Sequence, residues 1–395
     1  MPSETGTGGH VPSITRAARS ATMRLALREI HTERGTRSEG GAAVMAPMIV
    51  GVCGETAPGE RRVALVPDAV GAVQALGLEV LVESGAGAAS GLPDLLYQQS
   101  GAQVAPRDEL LHRADILVGV RPPAFPAGHR FRHGQVLIAL LDPLRIPFDV
   151  RRWADEGVTV IGLDLAPDTS VLARPMDAVA SQARLAGYKA ALLAADRFGH
   201  PLSGTVVPAP PRAVRALILG SDAAARQAAD ILRRLGATVA VSDLVPPYGP
   251  RFSGLVAGAD IVITTVRPRR GLRPPVLVTA RAMAGMRPGS VIIDTAVGPD
   301  GGNVEGVLPE STTTVGPGVT LIGAGRLQER IPQAASAAYS HNVTALLGHL
   351  VCDGELMIDP ADPVQAAMLV THGNMVLHTG VWQLIVEQTA VAGLP

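Results

Sequence analysis

The 395-residue chain is 47% hydrophobic and 17% charged, a balance that supplies sizeable cores and excludes a disordered chain. Its formal charge of −1 excludes a strongly basic nucleic-acid binder, and no run of about 18 uninterrupted apolar residues is present to span a bilayer. Cys53 and Cys352 are the two cysteines, too few for a disulfide framework or a four-cysteine zinc site.

Residues 1–46 are rich in Gly, Ser and Thr, with scattered arginines from Arg16 to Arg37, and read as a disordered extension. Thr15–His31 is the one stretch there with helical spacing, and Met45 or Met48 is a natural beginning. From Ile49 the pattern changes. Apolar runs at Ile49–Cys53, Glu79–Val82, Ile116–Val120, Val136–Leu141 and Val158–Ile161 predict strands, and Pro67–Leu76 has helical spacing. Met176–Phe198 is a long Ala-rich helix without proline, able to bridge two domains at ~1.5 Å per residue.

A second series follows the Pro-rich Val207–Arg212. Ala216–Leu219 is a strand, and Ala223–Leu235 a helix ended by Gly236. Thr238–Ser242, Ile261–Thr265, Val291–Asp294 and Thr320–Gly323 are strands, and Ala334–Leu350 is a second long helix. Leu244–Gly258 reads as a loop. Short strands alternating with helices predict an α/β protein: two Rossmann-like, doubly wound parallel-sheet domains flanking a cleft.

Leu217-Ile218-Leu219-Gly220-Ser221-Asp222-Ala223-Ala224-Ala225 lies between strand and helix, where a dinucleotide-binding turn belongs. Of the G-x-G-x-x-G pattern, Gly220 keeps the turn, Asp222 replaces the second glycine and Ala225 the third. A carboxylate against a diphosphate costs on the order of 4 kcal/mol at 4 Å and an effective dielectric of about 20. A helix N-terminus offsets only about 0.3–1 kcal/mol of that. The alternative role of Asp222 is an N-cap that itself occupies the anion position. Asp243, 23 residues after Gly220, stands where an acid holds the adenosine ribose diol, or else simply starts a loop. The ten histidines show no H-E-x-x-H or Cys/His ligand spacing, so no metal is expected.

Several further motifs occur in a fixed order. They are Glu60-Arg61-Arg62-Val63-Ala64-Leu65-Val66-Pro67, Val82-Glu83-Ser84-Gly85-Ala86-Gly87 and Ala114–Pro122. Leu185-Ala186-Gly187-Tyr188, Ile261–Thr265, Pro288–Asp294, Gly301-Gly302-Asn303 and Ile331-Pro332-Gln333 follow. Together they resemble the NAD-binding soluble alpha subunit of proton-translocating NAD(P) transhydrogenase and its relative alanine dehydrogenase, from about Ile49 to Val351.

The resemblance implies residues 47–175 plus 333–395 as one domain and 176–332 as the NAD(H)-binding Rossmann domain. Gly220, Asp222, Ala225, Asp243, Thr265 and Asp294 become the candidate cofactor-binding set, and Asp177, Arg62 and Arg174 the candidate catalytic set. NAD(H) is the implied cofactor, with binding weakened or lost through Asp222. The implied partners are a second copy in a homodimer and membrane-bound transhydrogenase subunits, placing the chain in the cytoplasm at the inner membrane face.

The sequence also departs from the family. The pattern Arg, four residues, Gln, two residues, Asp, then Ser places Thr169, Arg174, Asp177 and Ala180, so only Asp177 is kept. Hydride transfer needs the reacting carbons about 3–3.5 Å apart in fixed orientation, so losing orienting contacts slows it. The excursion between Asp243 and Asp260, which in the family carries a lid, is short here. The lysine and histidine of alanine dehydrogenase fall near Arg121 and Asp142, and neither can take over their acid–base work. Arg267, Arg269, Arg270 and Arg273 follow the Ile261–Thr265 strand and offer cations to phosphates, or form a solvated loop. Three readings stay open: a transhydrogenase alpha-type oxidoreductase, a non-catalytic binding or scaffold member, and an altered amino-acid dehydrogenase.

Overall fold

A computed structural model describes residues 46–125, 130–203, 213–243, 250–267 and 273–392. The expected N-terminal extension, the Thr15–His31 helix, and Arg269 and Arg270 lie outside the described residues.

The first lobe begins β1 (Ile49–Val52), α1 (Val70–Gln74), β2 (Glu79–Glu83), α2 (Asp94–Gln99), β3 (Gln103–Ala105), α3 (Arg107–Arg113) and β4 (Ile116–Val118). It continues through β5 (Val136–Ala139), α4 (Pro147–Asp155) and β6 (Thr159–Gly162). The six strands lie in the order β6-β5-β4-β1-β2-β3, every neighbour parallel. Such strands are covered on both faces and read as unbroken apolar runs. All four residues of Val136–Ala139 are buried.

The long helix α5 (Ala178–Arg197) leads to the second lobe: β7 (Arg215–Leu219), α6 (Ala223–Arg234), β8 (Thr238–Ser242), α7 (Pro250–Gly258) and β9 (Ile261–Thr264). There follow α8 (Ala280–Ala284), β10 (Val291–Asp294), β11 (Thr312–Val315) and β12 (Val319–Gly323). The sheet order is β11-β12-β10-β9-β7-β8, parallel except at β11. The chain then returns along α9 (Pro332–Leu350) to a short hairpin, β13 (Val351–Cys352) and β14 (Glu355–Leu356). After α10 (Pro363–Met368), β15 (Leu369–His372) and β16 (Met375–Val376) extend the first sheet antiparallel beyond β6, and α11 (Thr379–Ala392) follows. His372-Gly373-Asn374 form the β15–β16 turn, with His372 Nδ1 3.0 Å from Thr159 Oγ1.

One expectation is corrected. Pro250–Gly258, within the stretch read as a loop, is helical. Phe252 and Val256, four residues apart, are buried in one cluster with Leu217, Leu219 and Val262, and that burial outweighs the weak helix propensity of Gly254 and Gly258.

The small residues of α5 set how closely it meets α6. A methyl group at Gly187 would lie 2.1 Å from the Ala224 carbonyl oxygen and 2.8 Å from the Ala224 Cα, and backbone cannot rotate away. Gly187→Ala should therefore cost about 1–3 kcal/mol by forcing the helices apart. Urea unfolding of the variant measures it, and an unchanged midpoint would show the seam to be loose.

Candidate functional site

The C-terminal ends of β7, β8 and β9 meet where the second sheet's strand order reverses, the point at which open α/β sheets bind ligands. A cleft of about 730 Å³ opens there. Gly220, Asp243 and Thr265 follow those strands in turn and line it, together with Ser221, Asp222 and Arg226. Asp164, Asp168, Asp177, Ala180 and Arg267 complete its polar and small-residue wall.

Gly220 has φ +133°, and a Cβ there would sit 2.2 Å from Thr265 Oγ1. Glycine is therefore required both by conformation and by the approach of β9. Asp222 is extended at φ −69°, ψ −177°, and caps α6: its Oδ1 accepts from Ala225 N at 2.8 Å and from Thr265 Oγ1 at 2.9 Å. The N-cap role read from the sequence is thus observed for this residue. Ala225 is fully buried in the second core.

Asp177 caps α5 in the same way, accepting from Ala180 N at 2.8 Å. Asp164, just beyond β6, accepts from Leu141 N and Asp142 N at 3.0 and 2.9 Å. Asp243 is exposed at the rim. Arg226 Nη1 donates to Ser221 O at 2.5 Å, which places a cation beside the turn.

Three candidates stand away from the lining. Arg174 is exposed in the turn before α5. Asp294 is fully buried, accepting from Ala296 N at 2.9 Å and Val304 N at 3.0 Å; burial raises its pKa, although those amides oppose the shift. Arg62 lies in a buried cluster described below.

Residues 51–186 match the family description "Alanine dehydrogenase/PNT, N-terminal domain", and residues 250–379 match "Alanine dehydrogenase/PNT, C-terminal domain". The NAD(P) transhydrogenase subunit alpha of Cereibacter sphaeroides is 31% identical over 375 residues, covering 83% of this chain and 71% of that one. The chain belongs to the alanine dehydrogenase/transhydrogenase family. Among solved structures, the transhydrogenase from Sinorhizobium meliloti superposes with a TM-score of 0.75 at 32% identity, covering 84% of this chain and 99% of that one. An L-alanine dehydrogenase gives 0.73 at 26% identity, covering 86% and 99%.

Like those relatives, this family member has a mixed α/β fold built on two parallel-dominated sheets. Between them lies a buried ionic cluster that linear spacing does not reveal. Arg62, 3% exposed, gives Nε and Nη2 to the two carboxylate oxygens of Glu60 at 2.6 and 2.5 Å, and Nη1 to Gln182 Oε1 at 2.9 Å. Glu329 Oε1, buried and without a hydrogen-bond partner, lies 3.9 Å from Arg62 Nη2 and 3.8 Å from Arg121 Nη2. Burial alone would raise the Glu60 pKa, but the Arg62 pair outweighs it and holds the carboxyl below its usual range. Burial, then the neighbouring Glu60 charge, raise Glu329.

Glu55, next to this cluster, accepts from Val120 N at 2.6 Å and Arg121 N at 3.2 Å. Burial pushes its carboxyl up from 4.5 to about 7. Between those values the folded chain holds a proton that the unfolded chain has released, so stability falls as pH rises through the window. Glu55→Gln, whose amide oxygen still accepts from both backbone groups, should stabilise by about 1–2 kcal/mol at pH 8 and by little at pH 5. Denaturant titrations at the two pH values read this out, and an equal effect at both would exclude the titration.

Sequence reasoning missed Asp164, Asp168 and Arg226 in the cleft, and Glu55, Glu60, Gln182 and Glu329 around Arg62. One signal was available: Asp164 follows the carboxyl end of a predicted strand, where ligand-facing residues collect.

Proposed function

We propose that this chain is the nicotinamide-nucleotide-holding subunit of a transhydrogenase-type oxidoreductase, passing hydride to NADP carried by a partner subunit. The observation that carries the reading is the convergence of Gly220, Asp243 and Thr265 on one cleft at the reversal of strand order. Gly220 supplies the tight turn a dinucleotide needs, and its missing Cβ leaves the main chain open to the ligand. Asp243, at the cleft's rim, would hold a ribose diol. The diphosphate half fits less well, because Asp222 already satisfies one of the free amides in the first turn of α6, that of Ala225. Arg226 and Arg267 are the cations of the lining and would carry the diphosphate charge.

When bound, a nicotinamide nucleotide supplies the redox chemistry, and the residues of the chain bind and orient it. With the partners that the family implies, the chain would act as a homodimer docked on membrane-bound subunits at the cytoplasmic face. Among the described residues no helix is long and apolar enough to cross a membrane.

A second reading is a member that binds nucleotide without transferring hydride. It is favoured by the same Asp222 cap and by Arg174 standing away from the cleft. Calorimetric titration of the full chain with NAD⁺ and NADH tests the first claim. Micromolar to millimolar binding supports a nucleotide site, and silence with both ligands removes it. Hydride exchange measured with the membrane subunits present then separates the two readings.

A further inference from the structure

The charges along the cleft are unevenly placed. Its lining holds five aspartates and two arginines among the described residues. Arg226 donates to Ser221 O beside the turn, and Arg267 follows two residues after Thr265, which holds Asp222. Arg226 is thereby held beside the Gly220–Asp222 turn, and Arg267 lines the cleft just after the strand whose end anchors Asp222. Asp243 marks the adenosine side of that turn, beyond β8. A dinucleotide laid across the turn extends its other ring away from Asp243, towards the wall built from the first lobe and the start of α5. There the charged lining residues are Asp164, Asp168 and Asp177. Arg174, the nearest candidate cation in sequence to Asp177, is exposed and outside the lining.

We infer that the cleft discriminates by redox state, binding the oxidised dinucleotide, whose nicotinamide ring carries a positive charge, in preference to the reduced form, whose ring is neutral. The two forms have nearly the same shape, so their difference in this site is chiefly that one charge. Asp164 and Asp177 are anchored by backbone amides and keep their positions as the ligand enters. Carboxylates held near a cation in a partly desolvated cleft favour it, and the same carboxylates give nothing to a neutral ring. The inference rests on the cleft being a nicotinamide-nucleotide site.

Titration of the full chain with NAD⁺, NADH and ADP-ribose, the last lacking the nicotinamide, tests it. NAD⁺ should bind about tenfold more tightly than NADH, a difference of about 1.4 kcal/mol, with ADP-ribose close to NADH. The double variant Asp168→Asn, Asp177→Asn removes two negative charges, and asparagine retains the α5 cap. Its preference should shrink to about threefold or less. Equal or tighter binding of NADH, or an unchanged ratio in a double variant with wild-type circular dichroism, overturns the redox preference and leaves the nucleotide site standing. Failure of all three ligands to bind overturns the site itself and this inference with it.

Discussion

Arg62→Met should cost about 3–5 kcal/mol of folding stability, the largest loss expected from any single change described above. Methionine fills much of the same volume but leaves Glu60 and Glu329, 9% and 6% exposed, with only the half-exposed guanidinium groups of Arg121 and Arg326 near them. Burying an uncompensated carboxylate is the costly half of breaking a buried ion pair, whereas replacing the whole pair by neutral groups is often nearly neutral. Arg62→Met combined with Glu60→Gln should accordingly recover a good part of the loss. The deficit of the single variant should also be larger at pH 8 than at pH 5, where the stranded carboxylates can take up protons. Guanidinium unfolding at the two pH values decides it. A loss under about 1 kcal/mol at pH 8 would mean that water reaches the cluster and screens it.

Asp222→Gly should raise affinity for NAD(H) by about tenfold or more while lowering stability by about 1 kcal/mol. The two effects have separate causes. The carboxylate repels a diphosphate laid over the turn, by up to about 4 kcal/mol at contact distance before Arg226, Arg267 and solvent reduce it. The same carboxylate satisfies Ala225 N and the Thr265 hydroxyl, and glycine restores neither bond. Asp222→Asn keeps an acceptor at the cap and removes only the charge, so it should gain affinity with little loss of stability. Calorimetry with NADH and a denaturant series on both variants separate charge from bulk. If neither variant binds more tightly than the wild type, electrostatic exclusion at the turn is the wrong explanation.

Most of the sheet framework was legible because parallel strands are buried on both faces and appear as short unbroken apolar runs. Ile261–Thr264 and Val291–Asp294 are examples, each buried throughout. The positions of Gly220 and Asp243 on the cleft were legible for another reason: they depend on distance along the chain from one strand end. Asp222 was ambiguous in sequence, since a cap and an intruding charge use the same residue type. The Thr265 hydroxyl that anchors it lies 43 residues away and became visible only in three dimensions.

Other parts gave little signal. β3 has three residues, of which Ala105 alone is buried, too few to show a period. Among its described side chains α7 carries two buried apolar residues, Phe252 and Val256, in a stretch punctuated by Pro250, Gly254 and Gly258. β15 and β16 are short runs whose strand character comes from pairing with β6 and with each other. The Arg62–Glu329 pair joins residues 267 positions apart, and no local pattern reports such an assembly.

The placement of that cluster bears on how the molecule comes apart. Polypeptide passes between the two sheets along α5 and back through Leu327–Arg330 into α9, and Arg62 touches both routes, at Gln182 and at Glu329. Neither sheet can therefore loosen without disturbing groups that the other needs. Heating should melt both in a single cooperative transition, with calorimetric and van't Hoff enthalpies in agreement, despite the two-lobed architecture.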